Sequence, residues 1–230
     1  MLGWLFGKKK NVKDSPVSAV TTEPDIVQID ALDEDAEAAW YDKKSALMET
    51  ALGKEHDHVI HAILSYEVGG ALHGYLYPNG VKGTGLATKQ LARLGNQGAS
   101  NGLYDIYEFV MFTRNDLTVE AYEITDNQDD PHYRMRSALN AIAPYSEEAV
   151  LNPFETLGFP DDWEDMAGRN FIFHGYKSEL FTQAFGVMLI MEIFESELRY
   201  KEKNSGDALI AKLMEAGAYP YSDMDRQPVA

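Results

Sequence analysis

Three glutamates sit inside otherwise apolar runs: Glu67 in Ser65-Tyr-Glu-Val68, Glu108 in Ile106-Tyr-Glu-Phe-Val110, and Glu192 in Ile190-Met-Glu-Ile-Phe194. An isolated carboxylate is costly to bury, so each must be paired, hydrogen-bonded or protonated. Two of them meeting in one cleft could act as acid and base in a hydrolysis. Arg114, Arg169 or a strand edge could instead satisfy them as structural contacts, because such contacts also perturb carboxylates. On strand parity Glu108 shares a face with Ile106, Val110 and Phe112, and Glu192 shares one with Met188, Ile190 and Phe194.

Other motifs carry less. Gly98-Ala-Ser100-Asn-Gly102 matches the spacing of a nucleophile elbow, but the elbow needs a strand before the serine and a helix after it. Here a polar stretch precedes Ser100 and a strand-like run follows, so a flexible connection is expected. Gly80-Val-Lys-Gly-Thr-Gly85 fails the phosphate-loop pattern because Leu86 stands where lysine is needed. Its glycines fit a tight turn and a close backbone approach. His56, His58 and His61 do not share one face in either a strand or a helix. With no cysteine in the chain to complete a shell, a solvated strand entry is the expectation, and neither a metal nor a cofactor is called for.

The acids Asp161, Asp162, Glu164 and Asp165 surround Trp163. Such a run is ordinarily a solvated face. It is also how a protein presents itself to a basic partner, the field speeding encounter and the aromatic supplying anchor area. Tyr75 and Tyr77 join this loop as candidate partner-contacting residues. The whole chain supports the electrostatic half of the reading: 20 Lys+Arg against 37 Asp+Glu leave a formal net charge of −17 in 230 residues. Duplex nucleic acid is therefore a poor partner. Residues 1–10 (Met-Leu-Gly-Trp-Leu-Phe-Gly-Lys-Lys-Lys) form a short basic, apolar exception. They have the wrong order of charge and apolar residues for a secretory signal and read either as a frayed end or as a contact with an anionic membrane surface.

These residues need elements to position them, and 45% hydrophobic composition is ample for a core. Residues 1–29 read as a flexible tail and linker. Asp33 would cap a helix over 34–52, with Ala36, Trp40, Leu47 and Ala51 on one face and Gly53 closing it. Strands are expected over 58–68 and 72–77 as a pair, then over 103–112, 117–124, 171–176 and 185–194, the last central. A helix over 132–143 would stop before Pro144, with a loop over 145–169. The clearest helix runs from the cap Ser205 to Gly217, with Leu209, Ile210, Leu213 and Met214 as its stripe. The fold class is α+β: a mixed, largely antiparallel sheet flanked by helices, in one domain over 30–226 with a tail at 227–230.

Three segments in order resemble the suppressor of fused domain family in its bacterial single-domain form. They are Tyr77-Pro-Asn-Gly-Val-Lys-Gly-Thr-Gly-Leu-Ala-Thr88; Tyr107-Glu-Phe-Val-Met-Phe-Thr-Arg114; and Phe185-Gly-Val-Met-Leu-Ile-Met191 with Ser196 to Gly217 and Ser222-Asp-Met-Asp-Arg226. The resemblance covers about 54–226. It implies an α+β domain with a mixed sheet and no established enzymatic activity that binds a protein partner, and in bacterial members an immunity protein neutralising a cognate toxin. An acidic inhibitor of a basic toxin domain fits −17. The expectation is thus a cytoplasmic, non-enzymatic protein-binding module; the other reading is a hydrolase using Glu67, Glu108 or Glu192.

Overall fold

The computed structural model of the chain describes residues 34–116 and 130–230. The expected tail at 1–29, the cap at Asp33 and the strand at 117–124 lie outside the described residues. Helix α1 (Glu34–Leu52) opens with Glu34, Asp35 and Glu37, which favour the positive end of the helix dipole. It buries Lys44, Met48, Ala51 and Leu52, so a lysine occupies the stripe that helical spacing reserves for apolar groups. Gly53 follows in the left-handed conformation.

Seven strands make one sheet: β1 (Val59–Ile60), β2 (Gly74–Tyr77), β3 (Thr84–Ala87), β4 (Tyr107–Thr113), β5 (Thr156–Gly158), β6 (Asn170–Gly175) and β7 (Gly186–Ile193). Their order is β1-β2-β3-β4-β7-β6-β5, every pair antiparallel except β4 with β7. Two antiparallel meanders are thus joined at the centre by one parallel pair, which registers Glu108 against Val187. Every residue of β4 and β7 is buried, as runs apolar on both sides require. Helices α1 and α4 (Gly206–Glu215) cover one face, where Met48, Leu52, Leu209 and Leu213 meet Val110, Phe112, Leu189 and Met191. Helix α2 (Pro131–Glu148) covers the other, where Met135, Leu139 and Ile142 meet Phe109, Met111, Met188 and Ile190. The α+β class and the mixed, mostly antiparallel sheet expected from the sequence are what the fold contains.

Local side chains cut several elements differently. The run expected as a strand over 58–68 yields only β1. Beyond it Ala62 N–H donates to His73 Nδ1 (3.0 Å), His73 N–H to Gln90 Oε1 (2.6 Å) and Leu72 N–H to Asn140 Oδ1 (2.8 Å). Side chains answer amides that a longer ladder would have paired, and Tyr66–Val68 becomes a single 3₁₀ turn. Likewise β4 begins at Tyr107 because Asn101 Oδ1 accepts from both Leu103 N and Tyr104 N at 2.9 Å. Helix α2 starts where expected, Asp130 accepting from His132 N and Tyr133 N, but it passes through Pro144 to Glu148. The missing N–H of a proline disfavours that position. Burial of Ile142, Ala143 and Ser146 on either side, with Ser146 Oγ donating to Ala143 O (2.7 Å), holds the last turn. The stretch expected as a loop over 145–169 contributes the edge strand β5.

After β7 comes α3 (Glu195–Lys203), then α4, capped by Ser205 as expected. Helix α4 ends with Ala218 N–H donating to Leu213 O (2.8 Å) and Gly217 N–H to Met214 O (3.0 Å), the Schellman pattern. Glu197 in α3 is fully buried. Its carboxylate accepts from Phe194 N (2.9 Å), from both terminal nitrogens of Arg226 (2.6 and 2.8 Å) and from Val229 N (2.9 Å). This tie extends past 226 into the stretch read as a tail.

Removing Glu197 leaves the largely buried Arg226 without its partner. Glu197→Ala is expected to cost about 3 kcal/mol in urea unfolding, with faster amide exchange at Val229. A loss below about 1 kcal/mol would show that the clamp contributes little.

Candidate functional site

Glu108 lies on β4, facing α1. Its carboxylate, with no exposed surface, accepts from Lys44 Nζ (2.9 Å), Thr88 Oγ1 (2.6 Å), Leu91 N (3.2 Å) and Ala92 N (2.9 Å). Lys44 spends its remaining protons on Lys89 O (2.6 Å) and Ala92 O (2.8 Å). Both groups are satisfied, and neither has an open side for a substrate. Glu192 lies on β7 facing α2, on the opposite side of the sheet. Arg169 holds it through two bonds, Nε to Oε1 (2.9 Å) and Nη2 to Oε2 (2.7 Å), and Arg134 adds a third contact. Glu192 does line a cavity of about 510 Å³ with Arg114, Arg134, Ser222 and Asp223. Glu67 stands exposed in the 3₁₀ turn, not in a strand, and takes a long bond from Gln90 Nε2 (3.4 Å).

The sheet therefore separates the two buried glutamates and leaves the third in a surface turn. The strand-embedded setting holds for Glu108 and Glu192 and is corrected for Glu67. An acid–base pair needs carboxylates within reach of one bond, and these three are not brought together.

Tyr75 and Tyr77 are also placed differently from a contact surface. Both point into the core on the α1 side, 7% and 0% exposed. Lys89 Nζ lies 4.8 Å from the centre of the Tyr75 ring, and Tyr77 Oη donates to Glu55 Oε2 (3.0 Å). Burial pushes the ionisation of both phenols upward, the Tyr41 hydroxyl adding to it at Tyr75 and the Glu55 carboxylate at Tyr77. Strand β2 has neighbours on both sides and α1 above it, so neither face of the strand is free.

The remaining motifs are placed as follows in the fold. Ser100 is exposed in an irregular stretch that no helix follows before β4. Gly80 is required by packing: a Cβ there would come within 1.7 Å of Leu52 O. His61 packs edge-on against His73 at 5.1 Å, and among the described residues no three His, Asp or Glu side chains are grouped to hold a metal.

The acidic loop behaves otherwise. Asp161, Asp162 and Asp165 are exposed, and Glu164 begins a 3₁₀ turn, Glu164–Met166. Trp163 keeps 54% of its surface while its ring meets the edge of Phe159 at 5.3 Å. Tyr133 Oη on α2 donates to Asp165 (3.0 Å), tying the loop to that helix. Between loop, α2 and the stretch after β1 runs a groove of about 500 Å³, floored by Leu72 and Met166 and flanked by Ile63 and Trp163. Ile63, Leu64 and Val68 are 96%, 64% and 73% exposed. Sequence reading assigned these three to a strand interior. Asn140, which takes the Leu72 amide, lies far from them along the chain, and His73, though nearer, gave no local signal that its ring would take the Ala62 amide.

If Lys44 and Glu108 form a structural pair, Lys44→Met leaves an uncompensated buried carboxylate. It is expected to lower stability by about 3 kcal/mol in urea unfolding; a change under about 1 kcal/mol would show the carboxylate does not depend on this lysine.

No family model matches the chain, and no curated protein matches it. Among solved structures, one described as the Sufu-Fu complex is similar, with a TM-score of 0.50 and 14% identity over 84% of this chain and 91% of that one. At that identity the likeness is one of fold: the chain has a suppressor-of-fused-like fold.

Proposed function

We propose that the protein is a non-enzymatic protein-binding module that acts by capturing a basic partner. The observation that carries this reading is the exposed apolar surface of Ile63 and Trp163, which line one groove with Asp165, beside the further exposed Leu64 that follows Ile63 in the chain. Contiguous exposed apolar side chains on a folded domain mark an interaction surface more often than a chemical site. The two buried glutamates support the same reading from the other side, since their lone pairs are taken by Lys44, Arg134 and Arg169. The solved structure with a similar fold is itself a protein complex by its description.

The finer reading is an immunity protein of the cytoplasm that neutralises a toxin domain. A net charge of −17 favours fast, salt-sensitive capture of a cationic protein. Among the described residues no helix is long and apolar enough to cross a membrane.

Affinity-tagged protein purified from its native host at low and high salt tests this. A basic protein retained at low salt and released at high salt is expected. Recovery of no protein at either salt, together with turnover of a hydrolysable substrate that Glu192→Gln abolishes, would overturn the reading in favour of an enzyme.

A further inference from the structure

The proposed function leaves open where the partner docks and what it must carry. Ile63 and Leu64 are not exposed through slack in the chain. Their segment folds back on itself, with Gly70 N–H donating to Ser65 O (2.9 Å) and Gly69 N–H to Tyr66 O (2.9 Å). Any side chain at position 70 would place its Cβ within 2.0 Å of Leu64 O. The loop is anchored further along by Leu72 N–H on Asn140 of α2. An apolar pair packed beside a turn that backbone bonds close has little rearrangement to undergo on binding, which is how preorganised surfaces gain affinity.

Across the groove the opposite wall has the same construction. Trp163 is braced from behind by Phe159, and Asp165 is bonded to Tyr133. Between the walls the floor is apolar, and the volume of about 500 Å³ takes one or two large side chains. The electrostatics select what accompanies them. Asp165 lines the groove, and Asp161 and Asp162 are exposed in the same loop just before Trp163, while the cation on the helix wall, Arg136, lies 5.8 Å from the centre of the Tyr133 ring. Anionic headgroups and phosphates are disfavoured beside these carboxylates, and a small molecule would leave Ile63, at 96% exposure, uncovered.

Resting on the protein-binding reading above, we infer that the groove between Ile63, α2 and Trp163 is the docking site for a segment of a partner protein that presents bulky apolar side chains flanked by lysine or arginine. The apolar side chains enter between Ile63 and Trp163, and the cations face Asp161 and Asp162. This is a groove-docking mode in which the apolar anchors supply affinity and the rim charges supply orientation.

Two short synthetic peptides test it on the full chain: one with leucine and phenylalanine between lysines, the other with the same apolar residues between glutamates. The lysine peptide is expected to bind with a dissociation constant on the order of 100 μM or tighter by fluorescence polarisation, and the glutamate peptide not to bind. Ile63→Ser and Trp163→Ser should each weaken binding by about tenfold. Asp161→Asn with Asp162→Asn should weaken it and flatten its salt dependence. Met214→Ser, on the helix that covers the other face of the sheet, should change nothing. Ile63 and Trp163 are exposed enough for their variants to fold, which thermal unfolding checks. No binding of the lysine peptide, equal binding of both peptides, or indifference to Ile63→Ser and Trp163→Ser overturns the inference. A cellular partner captured equally by the native chain and by both serine variants would overturn the groove while leaving the protein-binding function standing. Groove-dependent peptide binding without any cellular partner would do the reverse.

Discussion

A carboxylate with no exposed surface at the centre of a sheet is stable only while its lone pairs are answered, and Glu108 imposes that condition on its surroundings. Strand β4 supplies the acid. Helix α1 must come close enough to deliver Lys44, and residues 88–92 must turn inward so that Thr88, Leu91 and Ala92 can donate. Lys44 in turn fixes the 89–92 backbone through two carbonyls. One side chain thus sets the position of a helix, a loop and the strand between them. Lys89, ion-paired to Glu55 and close to the faces of Tyr41 and Tyr75, extends the same knot toward β2.

The same solution recurs at Glu192 with Arg169 and Arg134, and at Glu197 with Arg226. Each ties pieces of chain distant in sequence: strand to helix in one case, helix to chain end in the other. Matching interior acids with interior cations leaves none of these three carboxylates as an uncompensated charge in the core. A net charge of −17 biases which partners approach.

The exposed isoleucine, leucine, valine and tryptophan gain nothing from the fold they sit on. The backbone bonds that close the turn after Leu64, and the Phe159 and Tyr133 contacts that brace the Trp163 loop, stabilise a shape whose apolar content is left in water. Rigid support beneath unburied apolar surface is what the proposed docking role requires.

The sequence by itself determined what depends on neighbours along the chain. The helix start near His132, capping at Ser205, the helix end at Gly217, the doubly apolar strands around Phe109 and Leu189, and the need of Glu108 and Glu192 for partners were all legible, because each rests on local geometry or on the cost of burying charge. Only the tertiary structure decided which side chains answer which groups. Asn140 and His73 end β1, burial carries α2 through Pro144, neighbouring strands enclose Tyr75 and Tyr77, and the sheet itself stands between Glu108 and Glu192. Strand parity gives a face only relative to its own strand. Whether two strands present their acids to the same side depends on how they pair, and that is set by contacts between residues far apart in sequence.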